Sequence, residues 1–462
     1  MSLAIIGGGI SGLAAAWQAY RDKIPFQLFE ATDRLGGVIQ TDYTDDDLAI
    51  EGGAESCLRS KPELYDLCCE LGLESEIVSP LSENSGAFVV RGGQLYPIPQ
   101  GFRLMAPSTV WPFLRSDLIR WAGKLRAGLD LVLPVKERIN DEPEESLSEF
   151  VSRRLGTEIL HYLAQPLVAG IYGADPQSLS LEATMPLFQR LEAEHGSVIR
   201  GLRALGTEQD AQGARYNLFF SLERGFGSVV EAIESQVPDG SLHCGARVDA
   251  LTAVDGGRWE VKVRGRATET FDSVVVALPA PSAAELLKPV LPDVAAEISE
   301  VHCRPAVTVN LFYDREVYLD YVPRAYGFVV PAQERRPILA CTFSSRKWPN
   351  RGSRDTGILR TYFGGPEMDW AISAPEEDLV EISVSELSQL LQLKEPPRSY
   401  SVHRWPVGLP EYRIGHRRRV AEIRKGIEAF PSLTLAGNYL DGVGMPDCVR
   451  LGRKAVSRLA LV

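Results

Sequence analysis

The chain has 462 residues, a hydrophobic fraction of 45%, and 49 Lys and Arg against 61 Asp and Glu, for a formal net charge of −12. That length asks for two or three domains, and the acidic balance argues against a nucleic-acid partner, because most of the surface would repel a polyanion. The cysteines at 57, 68, 69, 244, 303, 341 and 448 form no C-x-x-C pair and no metal-ligand spacing with histidine; they read as reduced thiols of a cytoplasmic protein without a metal site, and no apolar run argues for secretion or a spanning helix.

In chain order, Leu3-Ala4-Ile5-Ile6 predicts a short buried strand that ends in Gly7-x-Gly9-x-x-Gly12 and turns into an alanine-rich helix from Ser11 to Tyr20. Gly7 permits the tight turn, Gly9 lets backbone N–H groups approach a phosphate, and Gly12 lets the helix pack on the strand. Phe26-Gln27-Leu28-Phe29 predicts a second strand whose end carries Glu30, an acid placed to accept from both ribose hydroxyls of NAD or FAD. Residues 100–214 are rich in helix signals, with one helical run from Ser116 to Leu133 and a second from near Ser146; the acidic stretch at 141–145 reads as a solvated loop.

Phe219 to Gly227 leads into an amphipathic helix, after which 247–249, 259–263 and 273–279 predict strands. Extended runs at 306–312, 327–331 and 358–363 predict an antiparallel sheet that floors a substrate cavity. A last strand, 433–437, precedes a glycine-containing turn and a C-terminal helix whose free N–H groups can face an anionic ligand atom. The fold class is therefore α/β: a discontinuous Rossmann-like dinucleotide-binding domain (1–60, 215–285 and 405–462), an antiparallel-sheet substrate domain (61–99 and 286–404) and a helical subdomain (100–214).

The continuation Glu30-x-x-x-Arg34-x-Gly36-Gly37 resembles the FAD-binding flavoprotein oxidase superfamily and makes the expected dinucleotide FAD. The second end of the chain narrows this. Gly437-Asn438-Tyr439-Leu440-Asp441-Gly442-Val443-Gly444-Met445-Pro446-Asp447-Cys448, together with Leu95-Tyr96-Pro97-Ile98-Pro99, Gln165 to Gly173, Arg346 to Arg351 and Gly415-His416, resembles the porphyrinogen oxidases of haem synthesis, within the monoamine-oxidase-type flavoproteins, over nearly the whole chain.

The resemblance implies six-electron oxidation of a porphyrinogen, protoporphyrinogen IX or coproporphyrinogen III, by non-covalent FAD with dioxygen reduced to hydrogen peroxide. It implies a cofactor site of Gly7, Gly9, Ile10, Ser11, Gly12, Glu30, Ala31, Arg34, Gly36, Gly37, Val38, Gly52, Gly53, Ala54, Glu55, Val248, Trp405, Gly437, Asn438, Gly442, Val443, Gly444 and Met445. Its substrate walls are Ile171, Tyr172, Tyr326, Val329 and Trp348, with the Gly170 carbonyl toward the pyrrole N–H groups. Hydride loss from a bridging methylene needs positioning rather than an acid–base pair, so no catalytic side chain is assigned.

Eukaryotic-type relatives carry an Arg where this chain has Ala87, and Arg91 is out of phase with it on a strand, which leaves the propionate anchor open. The run Arg417-Arg418-Arg419 reads first as a solvated face. Trp111, Phe113, Leu114 and Trp121 are candidates for a peripheral membrane contact, and the resemblance adds product hand-over to a ferrochelatase-type enzyme. An amine oxidase is the nearest rival, but its relatives carry a lysine in the strand facing flavin N5, and Val307 to Phe312 has none. A carotenoid desaturase or a non-catalytic flavin sensor would share the flavin signatures.

Overall fold

The computed structural model describes residues 2–45, 47–103, 105–136, 144–211 and 219–459, with backbone alone at Ile171 and 207–211. Two compact units emerge: 1–78 with 218–303 and 416–462, and 79–217 with 304–415.

The first unit is built on a five-stranded parallel sheet in the order Leu242–His243, Phe26–Phe29, Leu3–Ile6, Ser273–Val276, Leu433–Leu435. Its central strands, Leu3 to Ile6 and Ser273 to Val276, are buried at every residue because the sheet is covered by helices and by an antiparallel sheet, whose Phe271 meets Phe29 edge-on at 6.0 Å. The helix Ile10–Arg21 leaves the first strand through the glycine turn and packs along the C-terminal helix Met445–Leu459. The contact is close enough that a Cβ on Gly452 would overlap the Ser11 carbonyl oxygen. Sequence-distant segments thus complete one sheet, as a Rossmann-like unit with late strands requires. A separate antiparallel sheet of Val248–Val254, Arg258–Val263 and Glu269–Phe271 alternates buried and exposed residues, the mark of one wet face.

The second unit centres on a seven-stranded sheet in the order Ser399–Trp405, Ala306–Asp314, Thr356–Gly364, Ala340–Thr342, Gly327–Val329, Phe88–Arg91, Gln94–Pro97. Every pair is antiparallel except Gly327–Val329 with Phe88–Arg91. One face carries Val307, Val309, Leu311, Leu359 and Phe363 and packs in a single apolar cluster with Leu379, Leu387 and Leu390 of the helix Glu376–Leu391.

The helical region differs from the sequence expectation in one respect. The run expected from Ser116 to Leu133 is helical only over Trp121–Gly128, followed by a 3-10 turn Leu129–Leu131, and a separate short helix Val110–Arg115 precedes it. Ser116 delays the start: its backbone is extended and its hydroxyl accepts the Leu118 N–H at 3.2 Å, a local turn that competes with helix. The helix expected from Ser146 starts there, with a capping box between Ser146 and Glu149. Of the acidic stretch, 141–143 lie outside the described residues, as do 212–214 of the helical region. The rest of that stretch is anchored rather than solvated, since Glu144 accepts the Gly415 N–H at 2.9 Å and Glu145 takes two bonds from Arg153.

Candidate functional site

The dinucleotide cradle is built in the first unit by close backbone approach. A Cβ on Gly12 would overlap the Gly7 carbonyl oxygen, so helix and strand meet at a distance only glycine allows. Gly7 itself has φ +110°, a left-handed conformation at the turn. Gly37 (φ +61°) packs on the backbone of Gly9, where an added Cβ would lie 3.1 Å from the Gly9 Cα. Gly9, the N-cap of the helix, is different: a Cβ there meets nothing within 4 Å, and no side chain caps the first turn. Uncapped N–H groups facing open space at the positive end of a helix are what a pyrophosphate needs.

Glu30 ends the second strand, with one carboxylate oxygen taking the Gly8 N–H at 2.7 Å and the other the Thr32 N–H and hydroxyl at 2.8 Å each. These bonds fix the carboxylate beside the glycine turn while leaving lone pairs for ribose hydroxyls. Ala31 and Val38 are exposed beside it. Arg34 donates to the carbonyls of Leu35, Gly37 and Ile39, so its guanidinium closes the Gly36-Gly37 loop. Gly52, whose N–H bonds the Gln40 carbonyl, opens the segment Gly52-Gly53-Ala54-Glu55, in which Glu55 is buried. Val248 begins its strand half-buried, and Trp405 ends the outer strand of the second unit opposite Ala306.

The C-terminal turn supplies a second helix N-terminus. Gly437 closes on the Tyr439 ring, Asn438 and Asp441 to Gly444 are partly exposed, and Met445 starts the helix Met445–Leu459. A Cβ on Gly444 meets protein atoms no closer than 3.4 Å, so this glycine leaves room for a ligand rather than for its own fold. Cys448 is buried, and burial raises its thiol to about 11 against a weaker opposing hydrogen bond with Ser11; it is protonated at neutral pH. A helix N-terminus without a side-chain cap, a second glycine turn that leads into a helix, an acid beside the first turn and glycines that open toward ligand fit an FAD. When bound, FAD supplies a hydride acceptor at N5 that can be reoxidised by dioxygen.

In the second unit the substrate candidates separate. Val329 lies half-buried on the sheet, and Tyr326 is half-buried with its hydroxyl donating to the Leu81 carbonyl at 3.2 Å. Gly170 is exposed in the helix Gln165–Tyr172, and Tyr172 is buried against Tyr412, its hydroxyl bonded to the Thr184 carbonyl. The Ile171 side chain lies outside the described residues. Trp348 is 1% exposed, which gives its ring a packing role in this conformation. Arg91, the out-of-phase cation, bonds the Leu118 carbonyl, pairs with Glu158 at 2.9 Å and stacks on Tyr162. Of the arginine run, Arg419 pairs with Glu297 at 3.4 Å.

The sequence reading missed the sheet face opposite the apolar one. Thr308 and Asn310 alternate with the core valines, and register sets Thr308 between His403 and Tyr362, and Asn310 between Ser401 and Arg360. Asn310 donates to Ser401 at 3.3 Å, Tyr362 bonds Thr342 at 3.0 Å, and Arg360 is 1% exposed with its guanidinium over the Tyr362 ring. The signal was the alternation Val307-Thr308-Val309-Asn310-Leu311, which places polar groups on one face of a buried strand. Among the described residues no cluster of His, Cys, Asp and Glu could hold a metal ion.

Comparison with known proteins agrees with this chemistry. Residues 10–460 match the flavin-containing amine oxidoreductases. Coproporphyrinogen III oxidase of Bacillus subtilis is 32% identical over 98% of this chain and 96% of its own, and the chloroplastic protoporphyrinogen oxidase 1 of Arabidopsis thaliana is 28% identical over 96% and 85%. A crystal structure of a provisionally named protoporphyrinogen oxidase from Exiguobacterium sp. 255-15 superposes with a TM-score of 0.88 at 30% identity, covering 100% of this chain and 98% of that one. With near full-length matches of this kind, and a glycine turn and neighbouring acid that fit the cofactor, the chain belongs to the flavin-containing amine oxidoreductase family and binds FAD, and within that family it stands with the porphyrinogen oxidases.

Proposed function

We propose that this protein oxidises coproporphyrinogen III to coproporphyrin III, six hydrogens leaving the macrocycle and three dioxygen molecules becoming three hydrogen peroxide. The full-length match to the Bacillus subtilis enzyme carries this reading. Non-covalent FAD fits the protonated, buried Cys448. The cradle residues Gly9, Glu30 and Gly444 would hold the cofactor, in a domain drawn from the segments 1–60, 215–285 and 405–462 that would largely coincide with the compact unit of 1–78, 218–303 and 416–462. On the substrate side, Gly170, Tyr326 and Val329 would contact the macrocycle, with the remaining segments supplying the sheet and helices behind them. Purified yellow protein should turn chemically reduced coproporphyrinogen III into fluorescent porphyrin faster than it turns over protoporphyrinogen IX, with three peroxides per porphyrin. The reverse preference, or no porphyrin from either, defeats the reading. The product would pass to a ferrochelatase-type enzyme that inserts the metal.

The localisation reading includes a peripheral membrane contact, and here the candidate residues change. Phe113 is 5% exposed and belongs to the interior, whereas Trp111 is 71% exposed and Trp121 64%. Leu125 (71%) and Leu129 (47%) continue Trp121 at four-residue spacing, an apolar helix stripe turned outward. Exposed Arg115 and Arg120 flank the stripe, which favours an anionic lipid surface. No helix among the described residues is long and apolar enough to cross a membrane. Co-sedimentation with phosphatidylglycerol vesicles, lost in W121S/L125S, tests the contact; absence of vesicle binding by the unaltered protein overturns it.

A further inference from the structure

The Gly442 turn is shaped by a buried charge that the cofactor reading leaves unexplained. Asp447 lies in the first turn of the helix Met445–Leu459, and its side chain is 6% exposed. A Cβ on Gly442 (φ +94°) would overlap the Asp447 carboxyl carbon and lie 2.6 Å from Oδ1, so the carboxylate fills the inside of the Asp441–Gly444 turn. Two cations compensate it. Lys61 Nζ donates to Oδ2 at 2.6 Å, and Arg450 Nη2 donates to Oδ1 at 3.2 Å and to the Asp441 carbonyl at 2.9 Å. Arg450 also pairs with Glu63 at 3.6 Å. Lys61 follows the Gly52-Gly53-Ala54-Glu55 segment by six residues, so the Lys61–Asp447 pair ties the two flavin segments of the first unit together.

We propose that Asp447 is a positioning residue for the flavin: its carboxylate holds the Asp441–Gly444 turn in shape, and the balance of its charge against Lys61 sets the potential that the N-terminus of this helix presents to the flavin's N1 edge. The inference rests on the reading that this turn holds FAD. A helix N-terminus favours negative charge, which is what collects on reduced flavin, and a carboxylate in its first turn opposes that effect. Removing the carboxylate charge therefore favours reduced flavin, removing the Lys61 charge disfavours it, and removing both restores the balance.

The test uses holoenzyme variants D447N, K61M and D447N/K61M, with the flavin midpoint potential as readout and the melting temperature measured alongside. Expected is a rise of about 30 mV in D447N, a tenfold shift of the two-electron equilibrium, a fall of similar size in K61M, and a return toward the unaltered value in the double variant. Potentials that stay fixed in D447N and K61M while the melting temperature falls reduce Asp447 to a structural residue and overturn the proposal. Lys61 is 46% exposed, so K61M folds and reports even where D447N does not bind flavin. The premise has its own variant. G444A adds a Cβ that comes no closer than 3.4 Å to a protein atom, so it burdens the ligand rather than the fold and should weaken FAD binding at least tenfold; unchanged FAD affinity removes the flavin from this turn and the proposal with it, whereas weakened affinity with fixed potentials refutes the role of Asp447 alone.

Discussion

Replacing Gly12 by Ala tests whether close approach of helix and strand makes the phosphate site. The added Cβ would overlap the Gly7 carbonyl oxygen and stand 3.0 Å from its carbon, against about 3.5–4.0 Å for two carbons at rest. Both offending atoms are backbone, so no side chain can swing away, and the helix must retreat by at least about 0.5–1 Å. Its other side is held: Gly452 of the C-terminal helix already sits against the Ser11 carbonyl, and Trp17 is tied to Glu70 at 2.9 Å. Overpacking of this kind costs about 1–3 kcal/mol, offset by the roughly 1 kcal/mol that Ala gains over Gly in a helix, so the apoprotein loses up to about 2 kcal/mol. The larger effect falls on the ligand. A helix end contributes about 1–2 kcal/mol to a well-placed anion, so FAD affinity should fall about tenfold at 1.4 kcal/mol per decade.

Gly9→Ala separates the two effects. Its Cβ meets no protein atom within 4 Å, so the melting temperature of the apoprotein should hold while FAD affinity falls by at least tenfold. FAD titration by flavin fluorescence, with apoprotein melting in parallel, reads both variants. A G9A protein that binds FAD as tightly as the unaltered chain would refute the cradle.

Three further outcomes follow from other parts of the molecule. Arg154 is fully buried and spends its guanidinium on Asp130 at 2.6 Å and on the carbonyls of Asp130, Leu133, Pro134 and Gly196; R154M leaves the Asp130 charge buried without its cation and should cost about 3–5 kcal/mol in urea unfolding, and R154K should not rescue it, because an ammonium cannot span those acceptors. Burial works against ionised Glu70, but Arg453, Trp17 and Arg21 overcome it and hold its carboxyl at about 2. A depressed folded value gives stability that is full above the unfolded value of 4.5 and is lost as pH falls toward 2; E70Q should flatten that part of the acid-unfolding curve, and an unchanged curve contradicts the assignment. Gly170 is exposed in its helix, and an added Cβ meets nothing within 4 Å, so G170A should stabilise by about 0.5–1 kcal/mol while raising the porphyrinogen KM several-fold; an unchanged KM removes this helix from the substrate.

What the sequence disclosed and what it hid divide along chain separation. Glu30, Arg34 and the glycines of the cradle lie within about three dozen residues, and each does a local job that its residue type announces: a turn, a cap left open, an acid at a strand end. The C-terminal turn is local in the same way. The Asp447–Lys61 pair spans 386 positions, and nothing in either neighbourhood names the other. The polar sheet face was half visible, since the alternation through Thr308 and Asn310 showed that one face of that strand is polar. Which strands flank it depends on register between segments tens of residues apart, and register brings Arg360 and Ser401 to Asn310.

The aromatic stripe fails for a different reason. Four-residue spacing of Trp121, Leu125 and Leu129 shows that these side chains share a helix face, but periodicity is the same for a face turned inward or outward. Interior residues elsewhere decide it: Gly123, Lys124 and Ala127 take the buried side of that helix, with the Lys124 ammonium donating to the Leu114 carbonyl at 2.8 Å and lying over the Trp121 ring. A small residue, a smaller one and a cation with a backbone partner are a poor advertisement for a core face, yet they allow the helix to pack closely while its large apolar side chains remain in contact with solvent. That inversion costs hydrophobic stabilisation in the isolated protein, and an apolar surface such as a bilayer interface would recover it.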